Sequence, residues 1–337
     1  MKATILKRFQ SVPEVVDLPD PLGPGPGEVL VKVGASGICY RDLLVSEGYF
    51  PRAKPPLILG HEFAGVVEEV GEGVEWPSKG TRVASLPYVQ CGRCYRCISG
   101  EENLCRSRVF LGEEVAGCYA ERVIVRSRAL VELPQDVGFE AGAISACVIG
   151  TLLNGIRQAA LNPNAHVLVT GGGGGVGIHA VQLAKAMGFS VIAATHSEWK
   201  VPAIYGAGAD QVLTSPEFSQ EAKRTVSEGV DLVIETVGQR TLDQSLRSLR
   251  WGGKLLLVGN VDAGAASIQL AQLILRGVSV IGVNNSSRRD LMEALDLVKK
   301  RRVRPIISSA VSLESVPEAL QSLKDAKPIG RQVVKLW

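Results

Sequence analysis

The pattern of apolar and polar positions changes near Gly150. Before it, short apolar-rich runs such as EVLVKVGASG, EFAGVVEEVG and YAERVIVRS are separated by glycine and proline, which is typical of β-strands joined by turns. After it, continuous Val/Ile/Leu runs such as HVLVTG, SVIAAT, VDLVIETVG and KLLLVGN alternate with helical stretches such as GVGIHAVQLAKAMG. Uninterrupted apolar strands that alternate with helices predict a parallel sheet covered on both faces.

Length and charge fit two globular domains without a polyanionic partner. The chain has 337 residues and a net charge of +3, which gives no global signal for nucleic acid or a membrane surface. The start MKATILKRFQ soon breaks into charge, unlike a signal peptide, and residues 141–153 form a stretch too short and too rich in Gly and Ser to span a bilayer. We therefore expect a cytoplasmic protein with a small-molecule substrate and no nucleic-acid or membrane partner. In that reducing compartment, its seven cysteines are expected to serve as metal ligands rather than to form disulfides.

The glycine run after the first long apolar strand predicts a dinucleotide site. Gly172, Gly174 and Gly177 satisfy G-x-G-x-x-G, although the five consecutive glycines let the frame slip by one. Glycine lets the backbone turn tightly and approach a pyrophosphate, which the N-terminus of the following helix then binds. Gly175 and Val176 belong to the same predicted turn.

The end of the next strand bears on the choice between NAD and NADP. An Asp or Glu there would bind the ribose 2′-hydroxyl, but the chain has Thr195, His196 and Ser197, with Lys200 nearby and Glu198 between them. Hydroxyl groups and a lysine suit a 2′-phosphate, so we predict NADP(H). The alternative is a polar turn without a cofactor role.

The segment CGRCYRCISGEENLC predicts a structural metal site in a lobe at about residues 88–108. Cys91, Cys94, Cys97 and Cys105 offer four thiolates and no open position, as in closed zinc sites. A disulfide pair is a weaker alternative, and an iron–sulfur cluster fits the spacing alone.

A second set of ligand types is spread along the chain. Cys39, His61 and Cys147 match the Cys₂His set of an open catalytic zinc site, which leaves one position for water or substrate. Each residue taken singly is more often part of a core. Cys118 has no evident partner in the sequence and is interpreted as a small buried apolar residue.

In this order, the motifs resemble the zinc-containing medium-chain dehydrogenase/reductase superfamily, the alcohol dehydrogenase family, over essentially the whole chain. The resemblance implies an α/β protein with two domains. A GroES-like, β-rich catalytic domain at residues 1–147 and 286–337 would be interrupted by a Rossmann domain at 148–285, a doubly wound parallel sheet that binds the cofactor. Relatives with the four-cysteine lobe are often tetramers, so we expect a homotetramer, with a homodimer as the alternative.

The resemblance also implies roles for single residues. Cys39, His61 and Cys147 would hold the catalytic zinc, Glu62 would be an occasional ligand, and Asp42 would orient the ligand histidine. Beyond the glycine turn, the resemblance implies that Arg331 contacts a cofactor phosphate. It also implies further cofactor-binding positions at Thr151, Val237, Val258, Gly259, Asn260 and Ile281.

Two positions depart from the alcohol dehydrogenase pattern. Where the family usually has a Ser or Thr, and in some members a His, to pass the alcohol proton outward, this chain has Arg41 and Leu44. Neither side chain can accept and hand on a proton. The segments CYRDLL and GYFPR resemble a thermophilic archaeal branch of the family that includes an acryloyl-coenzyme A reductase. In that setting Arg41 would be a fixed cation that contacts cofactor or substrate phosphate.

Three functions follow as hypotheses. The first is a zinc-dependent NADP(H) oxidoreductase that moves hydride between nicotinamide and an alcohol, ketone or aldehyde. The alternative is an NADPH-dependent enoyl-thioester reductase of the acryloyl-coenzyme A type. The third, a protein that binds NADPH without turnover, leaves the complete set of zinc ligands unexplained.

Overall fold

The computed structural model describes residues 1–337. Its strands are, in chain order, β1 Lys2–Leu6, β2 Glu14–Asp17, β3 Glu28–Ile38, β4 Leu57–Ile58, β5 Phe63–Val70, β6 Arg82–Ser85, β7 Tyr88–Val89, β8 Val109–Phe110, β9 Arg122–Arg126, β10 Leu130–Glu132, β11 His166–Val169, β12 Ser190–Ala194, β13 Gln211–Leu213, β14 Val230–Glu235, β15 Leu249–Leu257, β16 Ser279–Gly282, β17 Ile307–Val311 and β18 Arg331–Lys335. Its α-helices are α1 Tyr40–Ser46, α2 Tyr95–Ile98, α3 Phe139–Ile144, α4 Thr151–Ala159, α5 Gly177–Ala186, α6 Val201–Gly206, α7 Phe218–Thr225, α8 Leu242–Ser248, α9 Leu270–Arg276, α10 Arg288–Lys299 and α11 Val316–Lys324.

The chain forms two compact units. The first contains Met1–Gly150, Asn285–Lys300 and Ile307–Trp337, and the second contains Thr151–Asn284 and Arg301–Ile306. The short segment 301–306 therefore groups with the second unit, whereas the sequence places it in the first.

The first unit is built on a mainly antiparallel sheet of seven strands. Its order is β10-β6-β5-β3-β18-β17, and β9 also pairs with β3. The pairing of β3 with β5 places Ser36 opposite Phe63, and the Gly37 amide donates to the Glu62 carbonyl at 2.8 Å. This register brings the end of β3, where Cys39 follows, beside the segment that carries His61.

A long helical run delivers Cys147 to the same unit. Helix α3 continues through a π-helical segment, Ser145–Gly150, into α4. The predicted apolar stretch at residues 141–153 is thus part of a 21-residue run, Phe139–Ala159, that is long and apolar enough to cross a membrane, so shortness does not exclude a span. However, 72% of its most apolar window is buried within the protein, as in a core helix of a globular domain.

The second unit contains the predicted parallel sheet. Its six strands are all parallel in the order β13-β12-β11-β14-β15-β16. The chain moves outward from β11 to β13 and then returns to β14 on the other side. In such sheets ligands bind outside the carboxyl ends of the strands where this reversal occurs, which here means the ends of β11 and β14.

Candidate active site

The structure brings four predicted ligands together in the first unit. One ligand atom from each of Cys39, His61, Glu62 and Cys147 lies within 4.8 Å of the others. His61 Nε2 is 3.7 Å from Cys147 Sγ and 3.5 Å from Glu62 Oε1. The imidazole nitrogen, the two sulfurs and the carboxylate therefore face one small volume.

The chemistry of the donor set fits a divalent metal ion. The hydrogen bond from Cys147 lowers the pKa of Cys39 well below its ordinary value, and the same interaction, together with burial, raises the pKa of Cys147. Two thiolates held side by side in a buried site repel each other, and a metal cation bound by both would relieve that repulsion. Glu62 Oε2 is also buried without a hydrogen-bond partner, so the site has acceptor capacity that the protein does not use.

Asp42 fixes the orientation of His61. Its Oδ1 is 3.1 Å from His61 Nδ1, and its Oδ2 accepts hydrogen bonds from the Cys39 amide at 2.9 Å and the Tyr119 hydroxyl at 2.6 Å. Although burial opposes it, the Asp42 carboxylate holds the pKa of His61 well above its usual value. A proton held on Nδ1 leaves Nε2 free to bind a metal. The sequence alone did not single out Tyr119.

Arg331 pairs with Glu62 inside the first unit. Its Nη2 donates to Glu62 Oε1 at 2.5 Å, its side chain is 6% exposed, and its Nε has no partner. The sequence assigns Arg331 to a cofactor phosphate, whereas the contact present in the structure is this buried ion pair. The guanidinium offsets the negative charge that Glu62, Cys39 and Cys147 bring to the site.

The four-cysteine lobe is a second potential metal site in the same unit. Ligand atoms of Cys91, Cys94, Cys97 and Cys105 all lie within 4.8 Å of one another, and none of them forms a disulfide. Hydrogen bonds from the Arg93 and Cys94 backbone lower the pKa of Cys91 to about 6, while burial raises that of Cys97 to about 12. Four sulfurs with no fifth donor fit a closed tetrahedral zinc site.

The glycine turn lies at the carboxyl end of β11, and α5 starts within it. Gly171 has φ +59°, the left-handed region that favours glycine. The Gly172 amide donates to the Ala194 carbonyl at 2.9 Å, and a Cβ at Gly177 would clash with the Gly171 carbonyl. Gly174 lies between them, and Gly175 and Val176 lead into α5, whose first residue is Gly177. The turn thus has the close packing that G-x-G-x-x-G requires.

The residues predicted to select NADP lie next to this turn. Thr195, His196 and Ser197 follow β12, and the Ser197 amide donates to Thr195 Oγ1 at 3.2 Å. The stem of Lys200 packs against Gly173, where an added Cβ would be 2.7 Å from Lys200 Cδ. Burial lowers the pKa of Lys200. The glycine turn, the two hydroxyls and the lysine are therefore neighbours within the second unit.

Most of the other cofactor positions in this unit lie in loops that follow parallel strands. The Val261 amide donates to the Val237 carbonyl at 2.9 Å, and Asn260 lies against Gly238, so the loops after β14 and β15 pack together. A buried carboxylate that the sequence did not single out, Glu235, accepts hydrogen bonds from the amides of Val237 and Gly238. The remaining predicted positions are Val258 and Gly259 after β15, Ile281 within β16 and Thr151 at the start of α4.

Arg41 is held by protein partners. Its Nε donates to Glu113 Oε2 at 3.1 Å, and Nη2 contacts the same oxygen. The guanidinium carbon lies 4.2 Å from the Phe50 ring centroid and 4.3 Å from that of Phe110. Leu44, the other departure from the relay pattern, lies on the same helix, α1. The structure thus gives Arg41 a fixed position and offers no hydroxyl at this point.

Comparison with known proteins agrees with this site. The alcohol dehydrogenase GroES-like domain family matches residues 25–135, and the zinc-binding dehydrogenase family matches residues 175–300. An acryloyl-coenzyme A reductase of Metallosphaera sedula is 42% identical over 98% of each chain. An NAD-dependent alcohol dehydrogenase of Saccharolobus solfataricus is 36% identical over 95% of this chain and 94% of its own. The crystal structure of AibC has a TM-score of 0.92 and 36% identity, and the match covers 99% of this chain and 95% of that one.

The chain belongs to the zinc-binding medium-chain dehydrogenase/reductase family. The predicted fold class, a GroES-like domain combined with a Rossmann-like domain, is confirmed. It is an oxidoreductase of a family that uses a nicotinamide cofactor, and its relatives include both acryloyl-coenzyme A reductases and alcohol dehydrogenases.

Proposed function

We propose that this protein is an NADPH-dependent reductase of α,β-unsaturated acyl thioesters, of the acryloyl-coenzyme A type. The proposal rests on Arg41, whose guanidinium group stands where alcohol dehydrogenases usually have a proton-relaying hydroxyl and is bound to Glu113. An alcohol–ketone reaction needs a proton donor for the substrate oxygen, and the usual hydroxyl is replaced by a guanidinium bound to Glu113. Arginine remains charged at all working pH values, so it passes on no proton. Reduction of a conjugated C=C bond places the proton on carbon instead.

The reaction balances with a reduced nicotinamide and one proton. NADPH, H⁺ and an acryloyl thioester give NADP⁺ and a propionyl thioester, with hydride added at Cβ and a solvent proton at Cα. Bound NADPH supplies the hydride. Cys39, His61 and Cys147 would hold a zinc ion, which would supply Lewis-acid polarisation of the thioester carbonyl.

The protein's own residues hold and tune this site. Asp42 keeps the His61 proton on Nδ1, so that Nε2 points to the metal position. Arg331 neutralises Glu62 through their ion pair, which leaves the two thiolates as the main negative charges around the metal. Removal of such a supporting partner typically costs tenfold to a hundredfold in metal affinity or activity.

NADP specificity is part of the proposal. Thr195, Ser197 and Lys200 supply two hydroxyls and an ammonium group beside the glycine turn, and β12 ends without a carboxylate that would repel a 2′-phosphate. The alcohol dehydrogenase relatives are named NAD-dependent, so the test compares kcat/KM for NADPH and NADH. A clear preference for NADH would overturn this part.

A substrate panel tests the reaction itself. Zinc-loaded protein and NADPH are offered acryloyl-coenzyme A, simple ketones and aldehydes while absorbance of the reduced cofactor is followed. We expect rapid oxidation with the thioester and slow or no oxidation with ketones. Fast ketone reduction without thioester turnover would support the second candidate, a ketone or alcohol oxidoreductase. That candidate is favoured by the set of potential metal ligands in the first unit and by the 36% identity to an NAD-dependent alcohol dehydrogenase.

We further propose a cytoplasmic homotetramer. Helix α9 exposes Leu270, Ile274 and Leu275 at 70%, 76% and 73%, and β16 is the edge strand of its sheet. An exposed edge strand beside an apolar helix face favours association between copies. The seven reduced cysteines suit a reducing compartment. Gel filtration that shows a monomer would contradict the assembly.

A further inference from the structure

Two guanidinium groups, those of Arg41 and Arg108, lie against the Phe110 ring in the first unit, and a third, that of Arg52, pairs with a glutamate bound to the Phe110 amide. The guanidinium carbons of Arg41 and Arg108 are 4.3 and 5.3 Å from the Phe110 ring centroid. Arg52 bonds Glu114 at 2.9 Å, and the same carboxylate accepts a hydrogen bond from the Phe110 amide at 3.0 Å. We call these three residues the arginine cluster.

The arginine cluster carries more positive charge than its carboxylates balance. Glu113 and Glu114 pair with its first two members. Arg108 has no carboxylate partner. Its Nη1 donates to the Cys105 carbonyl at 2.8 Å, and its Nε is buried without any partner. A buried, unpaired donor among like charges is a place where an anion would be stabilised.

The arginine cluster adjoins the segments that carry the metal ligands and is open to solvent. Arg41 lies two residues after Cys39 in the first turn of α1. The loop after β8 packs on Gly60, which directly precedes the ligand histidine. The contact is close: a Cβ added at Gly112 of this loop would lie 2.6 Å from the Gly60 carbonyl oxygen. The side chain of Arg52 is 57% exposed, and that of Arg41 is 26% exposed. The arginine cluster therefore borders the segments that carry the metal ligands and is partly open to solvent.

We propose, building on the thioester reductase function above, that the arginine cluster is an anion subsite for the phosphate groups of a coenzyme A thioester. Arginine presents a planar fork of donors that matches phosphate oxygens. A simple ketone or alcohol carries no group that would use such a subsite. The cofactor's own pyrophosphate has a separate place, at the glycine turn of the second unit.

Two thioesters with the same reacting group, one with the phosphate-bearing portion of coenzyme A and one without it, test the proposal. Acryloyl-coenzyme A carries that portion, whereas S-acryloyl-N-acetylcysteamine has the same reacting group without it. The ratio of kcat/KM for the first to that for the second should fall about tenfold in Arg52→Gln and in Arg108→Gln, the effect expected for one charged hydrogen-bonding contact. Arg122→Gln is the matched control, since Arg122 also pairs with a glutamate, Glu68, at 2.7 Å. A ratio that stays at the wild-type value in both cluster variants would overturn the subsite.

A direct binding measurement separates this proposal from the proposed function. Calorimetry with coenzyme A alone should show a Kd about tenfold weaker in Arg52→Gln, while the Kd for NADPH changes less than twofold. If neither thioester is reduced, the thioester function fails, and coenzyme A binding still decides the subsite. A weaker Kd for NADPH with an unchanged Kd for coenzyme A would assign the cluster to the cofactor and refute the proposal. Zinc content measured in Arg108→Gln shows whether its effect arises instead from the neighbouring four-cysteine lobe.

Discussion

Glu235 offers the sharpest test of how the second unit holds its cofactor loops. Its carboxylate is fully buried and faces only hydrogen-bond donors. Oε1 accepts hydrogen bonds from Thr170 Oγ1 at 2.7 Å, the Val237 amide at 2.8 Å, the Gly238 amide at 2.9 Å and Thr241 Oγ1 at 2.8 Å. Oε2 accepts one from the Ser245 hydroxyl at 2.5 Å. One side chain thus ties β11, the loop after β14 and α8 together.

Two substitutions give different expected costs. Glu235→Ala leaves the amides of Val237 and Gly238 without partners, and each buried unsatisfied group costs about 1–3 kcal/mol. Because hydroxyls can turn and water can enter, we expect about 3–4 kcal/mol of local destabilisation. Glu235→Gln keeps an oxygen for the four donors on one side and turns its amide toward Ser245. It loses only the charge assistance, at about 1–2 kcal/mol.

Hydrogen exchange of the Val237 and Gly238 amides measures these costs locally. A local probe is needed because a chain with two units does not guarantee a two-state transition. Protection should fall strongly in Glu235→Ala and moderately in Glu235→Gln, and the Kd for NADPH should weaken in the same order. Glu228→Ala, at an exposed position of the same unit, is the control. A loss of about 1 kcal/mol in the free energy of local opening corresponds to an increase of about fivefold in exchange rate. Exchange of the two amides in Glu235→Ala that is less than about fivefold faster than in the wild type would refute the reasoning.

Further substitutions test the metal, cofactor and assembly proposals. Metal analysis should find two zinc ions per chain in wild type and one in either Cys39→Ala or Cys94→Ala; full zinc in either variant would contradict the two-site assignment. Asp42→Asn should weaken zinc binding about tenfold to a hundredfold in competition with a chelator, and unchanged affinity would mean that the carboxylate does not orient the histidine. Lys200→Met keeps the stem that packs on the glycine turn, so it should lower the NADPH-to-NADH ratio of kcat/KM about tenfold without loss of stability. Ile274→Asp should shift gel filtration toward a smaller species, and an unchanged elution volume would move the interface elsewhere.

The ligand sets were predictable because metal chemistry restricts residue type and spacing. Cys91, Cys94 and Cys97 lie within seven residues, so their spacing alone predicts a metal site. The order strand, glycine run, helix predicts the cofactor turn from a local pattern in the same way. Cys39 and Cys147 are far apart in sequence, so only the family resemblance predicted that they belong to one metal site. The structure places both thiols beside His61, because the register of β3 with β5 and the helical run from α3 converge there.

Partners that depend on tertiary position were not predictable. Arg41 was expected to meet a phosphate, and nothing in the sequence indicated that Glu113, in a distant loop, already binds it. Cys118 was interpreted as an apolar residue without a partner, but its Sγ lies 3.0 Å from Ser36 Oγ. The hydroxyl of Tyr119 likewise finds Asp42 only in the folded chain. Such contacts arise between segments that no local pattern relates.

The position that receives hydride tests the central claim most directly. Zinc-loaded protein is incubated with NADPH deuterated on the transferred hydrogen and with acryloyl-coenzyme A in ordinary water, and the product is analysed by mass spectrometry and NMR. The account predicts propionyl-coenzyme A with one deuterium at Cβ and a hydrogen from solvent at Cα. Deuterium on the former carbonyl carbon, in an aldehyde or alcohol product, would show C=O reduction and contradict the account.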